Sequence, residues 1–177
     1  MAVEPSGVCF QPSSAPDLST NAAIFKIQPQ CHACLTPKLY WAGLDAGDRQ
    51  MLDHVRFTSE LIRLRWDYPA LRGQGFRVVH VHDENRVLAF HRWVEGEGRD
   101  VLVIVHLSTF NRFGYRIGVP DDGSWREIFN SDVYENWVNP NVSGNGGVVS
   151  ADAQAMHGFE NSAPFVLPAN SILVFAR

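Results

Sequence analysis

The hydrophobic pattern changes once along this chain, and that change limits the folds it can adopt. Between residues 48 and 66, apolar residues recur every three or four positions, which predicts an amphipathic helix. Asp45 or Asp48 is the candidate N-cap, and Pro69 lies beyond the predicted end. The helical spacing does not return after Pro69. Short apolar runs separated by turn residues follow, so the rest of the chain is predicted to be all-β.

The predicted strands are short and closely spaced. Their sequences are FRVVHVH, RVLAFHRWV, VLVIVHLS, GYRIGV, WREIFNSD, VVSADAQAM and the two halves of APFVLPANSILVFAR. VLVIVHLS is apolar almost throughout, which predicts a strand covered on both faces. GYRIGV alternates, as a half-buried antiparallel strand does. Seven or eight such strands predict a mainly β fold, an antiparallel sandwich or barrel-like domain preceded by one amphipathic helix.

Three regions follow from these patterns. Residues 1–38 are rich in Pro, Ser, Gln and Ala and show no period, which predicts an irregular, poorly ordered leader. Residues 39–72 contain the helix, and residues 73–177 form the β-domain. The 177 residues are also fewer than the roughly 250 of a (β/α)₈ barrel. In the helix, we expect Val55, Leu61, Ile62 and Leu64 to lie against the β-domain or against another copy of the chain.

Charge and cysteine content limit the partners and the cellular compartment that this chain is expected to have. The formal charge of −4 and the pI near 5.9 disfavour nucleic acid as a partner. No apolar run approaches the ~18 residues of a membrane-spanning helix. The cysteines, Cys9, Cys31 and Cys34, all lie in the leader. A β-domain that needs no disulfide suggests a reducing compartment, so we expect a cytoplasmic protein.

Two groups of residues suggest metal binding, but neither is complete. Cys31 and Cys34 form a C-x-x-C motif, yet zinc takes four ligands and no second pair follows. His80 and His82 stand two apart on a predicted strand and face one side, where His91 would join them if the register were right. No carboxylate is evidently placed to orient these histidines. The sequence therefore predicts no metal site and no cofactor.

The stretch WREIFNSDVYENW, residues 125–137, combines carboxylates with aromatic rings, as a glycosidase site does. Strict alternation places Trp125, Glu127 and Phe129 on one face, with Glu127 solvated near the rim. Asn, Ser and Asp at 130–132 are predicted to close a turn. Tyr134 and Trp137 follow on the outgoing loop, where an exposed ring would stack on a sugar and a buried ring would cover the end of the core. The chain also has no G-x-S-x-G elbow and no phosphate-binding loop.

Several longer phrases resemble one family. RFTSELIRLRWDYPALRGQGFRVVHVHDENRVLAFHRW, WREIFNSDVY and LPANSILVFAR resemble the C-terminal portion of bacterial 1,4-α-glucan (glycogen) branching enzymes, of the α-amylase superfamily. The resemblance runs from about Tyr40 to Arg177. It implies that the helix matches the last helix of a catalytic barrel and that the rest is the all-β C-terminal domain. It also implies that the family's catalytic carboxylates lie upstream, on barrel strands without counterparts in these 177 residues.

The resemblance implies a function without catalysis. The family's retaining mechanism needs two carboxyl groups held about 5 Å apart, so catalytic residues are not expected here. The first hypothesis is that this chain gives structural support to a catalytic barrel, and that the barrel belongs to a separate polypeptide. The second is a stand-alone α-glucan-binding module that uses Trp137, Tyr134 and Trp93. An active enzyme in this chain alone is disfavoured, whereas self-association through the helix at 48–66 remains open.

The front of the chain departs from the family, because residues 1–38 match nothing in it. Either the chain is a fragment, or it is a separate gene product that kept the terminal domain. The initiating Met and the unrelated leader favour the second interpretation.

Overall fold

The computed structural model describes residues 44–135 and 137–177. The predicted leader and its C-x-x-C motif lie outside the described residues. Within the described ranges the elements are helix α1 (Arg49–Asp67), a 3₁₀ helix (Pro69–Leu71), β1 (Gly75–His82), β2 (Val87–Trp93), β3 (Val101–His106), β4 (Arg112–Val119), β5 (Gly123–Asn130), a second 3₁₀ helix (Ser131–Tyr134), β6 (Val148–Ala151), β7 (Asn161–Leu167) and β8 (Ser171–Ala176). The predicted mainly β fold of seven to eight strands is confirmed. In the part of the chain described, no helix is long and apolar enough to span a membrane.

Helix α1 begins and ends where local chemistry requires. The Asp48 side chain accepts a hydrogen bond from the backbone N–H of Met51, at 3.1 Å, which satisfies one of the free amides at the helix start. At the other end the Tyr68 N–H donates to Leu64 O, at 3.0 Å. Pro69 has no N–H and cannot continue the helix. Of the two candidate caps, Asp48 is the one that the structure shows, and the predicted stop before Pro69 is confirmed.

The strands form two antiparallel sheets packed as a sandwich. The larger sheet has the order β1-β2-β3-β8-β5-β6, and the smaller one pairs β4 with β7. The core lies between them, and its largest fully buried apolar side chains are Trp125, Phe165, Phe175, Leu102, Ile104, Ile117, Leu167 and Leu173. Burying such side chains is the main favourable contribution to folding, at about 1.5–3 kcal/mol each.

A second core lies on the other face of the large sheet, under helix α1. Phe57 and Leu64 from the helix pack in one cluster with Val101 and Val103 of β3 and Val174 of β8. Strand β3 is thus covered on both faces, as its uninterrupted apolar sequence predicts. The chain therefore has three layers, with the helix outside the six-stranded sheet.

One facing prediction for β5 is wrong. Trp125 lies in the sandwich core, whereas Phe129 lies in the core under α1, on the opposite face of the sheet. The register of β5 against β8 shifts between Glu127 and Phe129. Such a bulge adds one residue to a strand and reverses the alternation beyond it. The bulge allows β5 to contribute an aromatic ring to each core.

Candidate functional site

Helix α1 is apolar on two opposite faces. Phe57 and Leu64 are buried against the sheet, whereas Val55, Ile62 and Trp66 are 45%, 56% and 68% exposed. With 3.6 residues per turn, these three residues align in one row, about 180° from the buried face. We call them the outer stripe. Of the four helix residues predicted to lie against the β-domain or another copy of the chain, Leu61 and Leu64 pack against the β-domain. Val55 and Ile62 do not, and their contact with another copy stays a prediction.

A second exposed apolar area lies beside the helix. The large sheet turns Val78, Val81 and Leu88 of β1 and β2 outward, where they are exposed. Phe76 belongs to the same area, and its ring lies 5.6 Å from that of Phe90, which packs against the core under α1. We call Phe76, Val78, Val81 and Leu88 the β1–β2 patch. Exposed apolar side chains on one face of a sheet are a feature that interaction sites share.

Tyr134 is buried in the core under α1. It closes the 3₁₀ helix after β5 and is only 8% exposed. Its ring lies 5.8 Å from that of Phe57 and 5.5 Å from that of Phe129. Burial, with a smaller contribution from the Glu60 carboxylate, raises the pKa of Tyr134 to about 12. The sequence left two positions open for this ring, exposed to a sugar or buried over the end of the core, and the structure shows the buried one.

Trp137 is fixed to the start of α1. Its backbone N–H donates to Asp53 Oδ2 at 3.1 Å, and its carbonyl accepts from Arg49 at 3.3 Å. The ring lies 5.1 Å from the Tyr134 ring and 5.6 Å from the Arg56 guanidinium carbon. It remains 36% exposed. Trp137 is therefore the member of this aromatic group that solvent can reach.

Trp93 lies near the opposite end of the helix. The neighbouring Arg92 donates to Gly73 O, at 2.7 Å, just beyond the 3₁₀ helix that follows α1. The Trp93 ring is half-buried and stacks on His91 at 4.7 Å. It also covers Gly75, where a Cβ atom would come within 2.5 Å of the ring. The structure thus brings Tyr134 and Trp137 together and leaves Trp93 apart.

A groove of about 450 Å³ runs between α1 and the outer face of β5. We call it the α1–β5 groove. Apolar side chains, among them Leu64 and Phe129, line it together with polar and aromatic ones, which include Glu60, Arg63, Asp67, Tyr68, Arg126 and Tyr134. The sequence did not predict this groove, because Tyr68 and Arg126 meet only when the helix packs on the sheet. The one feature of the local sequence that suggests the groove is Arg126, which strand alternation places on the outer face of β5.

The acidic residues of the 125–137 stretch hold the loop that follows. Glu127 is half-buried and accepts hydrogen bonds from Asn145 and Asn130, at 2.7–3.0 Å. The prediction that Glu127 is simply solvated near the rim is therefore wrong. The Asn130 side chain accepts from the Asp132 N–H at 3.0 Å, and Asp132 accepts from the Ser143 N–H at 2.9 Å. The predicted turn-closing role of residues 130–132 is confirmed.

The histidines fall into two separate sites. His91 pairs with Asp100 at 2.7 Å, so the expectation that no carboxylate orients these histidines is wrong. His80 instead bonds to the Tyr115 hydroxyl at 2.8 Å and stacks on His157, with ring centres 4.1 Å apart. Within residues 44–135 and 137–177, no three His, Cys, Asp or Glu side chains are grouped to hold a metal ion.

The paired rings of His80 and His157 make stability depend on pH. Burial lowers the pKa of His157 below 6.5, and burial, then His157 and His82, lower that of His80. Below pH 6.5 the unfolded chain therefore binds more protons than the folded one, and stability falls as the pH falls. We expect urea titrations to show a lower free energy of unfolding at pH 5.5 than at pH 7.5.

A single substitution tests the contribution of His157, which has φ of 53° and accepts a hydrogen bond from the Gly118 N–H at 3.1 Å. Asn tolerates that backbone conformation, retains an acceptor and does not titrate. His157→Asn should therefore reduce the loss of stability between the two pH values. An unchanged pH dependence would show that His157 does not contribute to it.

Comparisons with known proteins agree with this architecture. Residues 78–177 match the family model described as alpha amylase, C-terminal all-beta domain. A 1,4-alpha-glucan branching enzyme of Xanthomonas euvesicatoria pv. vesicatoria is 41% identical over 117 residues, which cover 63% of this chain. One from Paraburkholderia xenovorans is 34% identical over 142 residues, which cover 76% of this chain. The chain spans only 16% and 18% of these two relatives.

Among solved structures, the Nostoc punctiforme debranching enzyme soaked with acarbose aligns with a TM-score of 0.45 at 14% identity. The alignment covers 71% of this chain and 20% of that one.

Proposed function

The chain belongs to the family of alpha-amylase C-terminal all-beta domains, and from this premise we propose that it is a non-catalytic domain that supports a glucan-branching catalytic domain. The matched relatives are branching enzymes of which this chain corresponds to a small C-terminal share. The cytoplasm is the proposed location, because all the cysteines lie in the first 34 residues and the β-domain has none.

The two-faced helix is the observation that carries this proposal. A helix whose only role was to cover the sheet would be polar on its other side. The outer stripe of Val55, Ile62 and Trp66 is instead apolar and exposed. Together with the β1–β2 patch it offers two apolar surfaces to a partner. A catalytic domain is the proposed partner, because in the relatives most of the chain consists of further residues that this chain does not match.

The acidic residues also support a role without catalysis. Glu127 and Asp132 accept hydrogen bonds from the loop of residues 143–145, at distances of 2.7–2.9 Å. Retaining glycoside chemistry instead requires one carboxyl group that is free to attack and another that exchanges protons with the substrate. These two acids hold the loop in place, which is a structural task.

The test is complementation in trans. A branching enzyme of a relative, truncated before its C-terminal β-domain, is mixed with this chain, and branching is followed through the iodine spectrum of amylose. We expect the chain to bind the truncated enzyme and raise its activity. Replacing the stripe by Val55→Gln, Ile62→Gln and Trp66→Gln should weaken binding by about tenfold or more, because exposed anchors dominate interface energies.

Phe113→Gln is the matched control, because Phe113 is an exposed apolar residue on β4, outside both surfaces. It should leave binding unchanged, and neither variant should lower the melting temperature substantially. Equal binding by the wild type and the stripe variant would contradict the proposal. A dimer of the chain that the stripe variant dissociates would instead assign the outer stripe to self-association.

A second candidate is a stand-alone α-glucan-binding module. Trp137 favours it, because its ring reaches solvent and its backbone is anchored by hydrogen bonds to Asp53 and Arg49. Rigid aromatic rings are suitable stacking surfaces for the apolar faces of sugar rings. Tyr134 would act from beneath Trp137, whereas Trp93 would form a separate contact. Retardation of the chain in an amylopectin gel, relieved by maltoheptaose, is the measurement for this candidate.

A further inference from the structure

The long loop before β6 contains the only Asn–Gly pair of the chain, Asn145–Gly146. Gly146 is exposed, has φ of 65° and carries no side chain that could shield its backbone nitrogen. An asparagine followed by such a residue is the most open to attack by that nitrogen on its own side-chain amide. We propose that Asn145 is a site of spontaneous deamidation, which the folded loop prevents and which unfolding allows.

The reaction needs only these two residues and water. The Gly146 nitrogen gives up its proton to water or hydroxide and attacks Cγ of Asn145. A C–N bond forms, the bond from Cγ to Nδ2 breaks, and Nδ2 takes up a proton and leaves as ammonia. Water then opens the resulting succinimide ring at either carbonyl group, which leaves aspartate or isoaspartate at position 145. Asparagine is one of the thermally labile residues of proteins.

In the folded chain, hydrogen bonds fix both ends of the Asn145 amide. Its oxygen accepts from the Val166 N–H at 2.7 Å, and Nδ2 donates to Glu127 Oε2 at 2.7 Å and to Val166 O at 3.1 Å. The Asn145 backbone N–H donates to the same carboxylate oxygen, at 2.8 Å. Ring closure requires the amide carbon to move onto the Gly146 nitrogen and to lose its planar geometry. The amide cannot do so without breaking these bonds.

Deamidation should therefore proceed through an open form of the loop. Loops open locally, at a smaller free energy than the whole fold. When opening and closing are fast relative to the chemical step, the reaction rate follows the population of the open form. We expect Asn145 of the native chain to react at least about tenfold more slowly than Asn145 of the denatured chain.

The product cannot replace Asn145 in the fold. An aspartate side chain has no N–H to donate to Val166 O, and it places a second negative charge beside Glu127. Isoaspartate also adds a methylene group to the backbone of the loop. A chain that reacts while it is unfolded thus loses the contacts that fix this loop, so unfolding becomes irreversible with time.

Peptide mass spectrometry of the intact chain, kept in mildly alkaline buffer with or without denaturing guanidinium chloride, tests the proposal. The mass gained when OH replaces NH₂ reports each conversion. Asn141, exposed in the same loop and followed by the β-branched Val142, is the internal control. In denaturant, Asn145 should react at least about tenfold faster than Asn141, and removal of denaturant should slow Asn145 by a similar factor.

A variant tests the role of Glu127. Glu127→Ala removes the acceptor that the Asn145 amide and backbone share, and it should speed the reaction of the native chain by about fivefold. Glu160→Ala, which removes an exposed carboxylate before β7, is the matched control and should react as the wild type does. In denaturant all three chains should react at the same rate, because the substitutions leave the Asn145–Gly146 chemistry unchanged.

Equal rates for the wild type with and without denaturant would overturn the proposal, because the folded loop would then give no protection. A denatured chain in which Asn145 reacts no faster than Asn141 would overturn it as well. A folded Glu127→Ala chain that reacts as slowly as the wild type would refute the part assigned to Glu127. These rates require neither a catalytic partner nor a glucan, so they can succeed or fail independently of the complementation test.

Discussion

Phe57→Ala is expected to lower the free energy of unfolding by about 3–5 kcal/mol, as removal of a buried phenylalanine does. Phe57 is 3% exposed and lies at the centre of the core under α1. Its ring is 5.7 Å from that of Phe129 and 5.8 Å from that of Tyr134. Alanine would leave a cavity between the helix and the sheet. Urea denaturation followed by circular dichroism measures the change.

Val55→Ala is the control for this prediction. It lies on the same helix but on the exposed face, so the cost should stay within about 0.5 kcal/mol. Similar losses for both variants would show that the helix does not depend on its contact with the sheet. The expected difference would show that α1 is part of the β-domain's own fold, even though its outer face suits a second partner.

Local patterns were sufficient to predict the elements. The spacing of apolar residues predicted α1, and Pro69 and the pair of candidate caps, Asp45 or Asp48, predicted its ends. Strand patterns separated by turns predicted seven or eight strands, and the structure has eight in the described residues. These features depend on a few neighbouring residues, so a single sequence reveals them. The covered β3 strand was predictable for the same reason, because its apolar residues do not alternate with polar ones.

Features that depend on distant contacts were not predictable. The bulge in β5 adds one residue without any distinctive sequence, and it moves Phe129 to the opposite face from Trp125. The helix pattern did not separate Val55 and Ile62 from Leu61 and Leu64, because two apolar faces overlap in a one-dimensional pattern. Phe57, the most buried apolar residue of α1, was not recognised for that reason.

The candidate site shows the same limit. Tyr68 and Arg126 are 58 positions apart and meet only after the helix docks. The loop aromatics were found from composition, but the sequence did not reveal that Tyr134 is buried and Trp137 exposed. That difference arises from the 3₁₀ helix after β5, which turns the Tyr134 ring toward Phe57.

The second large effect is expected at Asn145, in the long loop before β6. Its side-chain oxygen accepts from the Val166 N–H at 2.7 Å, and its amide donates to Val166 O at 3.1 Å. The side chain thus pairs with β7 as the backbone of a neighbouring strand would. The Asn145 amide and backbone N–H also donate to Glu127, at 2.7 and 2.8 Å. One residue therefore connects the loop to both sheets.

Asn145→Ala removes three side-chain hydrogen bonds and leaves the Val166 N–H and C=O without that partner. An unsatisfied polar group costs about 1–3 kcal/mol when it is buried. The Val166 N–H and C=O are half-buried, so we expect the two together to lower the free energy of unfolding by about 2–4 kcal/mol. Asn145→Asp should not restore it, since a carboxylate cannot donate to Val166 O and would repel Glu127. Chemical denaturation of both variants provides the measurement.

Asn141→Ala is the matched control, because Asn141 lies exposed in the same loop. Its cost should stay within about 0.5 kcal/mol. If Asn145→Ala cost no more than Asn141→Ala, water would replace the lost bonds and the loop would not hold the sheets together. If the expected difference appears, Glu127 serves as the acceptor that fixes this loop. The same carboxylate lines the α1–β5 groove, so the rigidity of the loop and the shape of the groove would have a common cause.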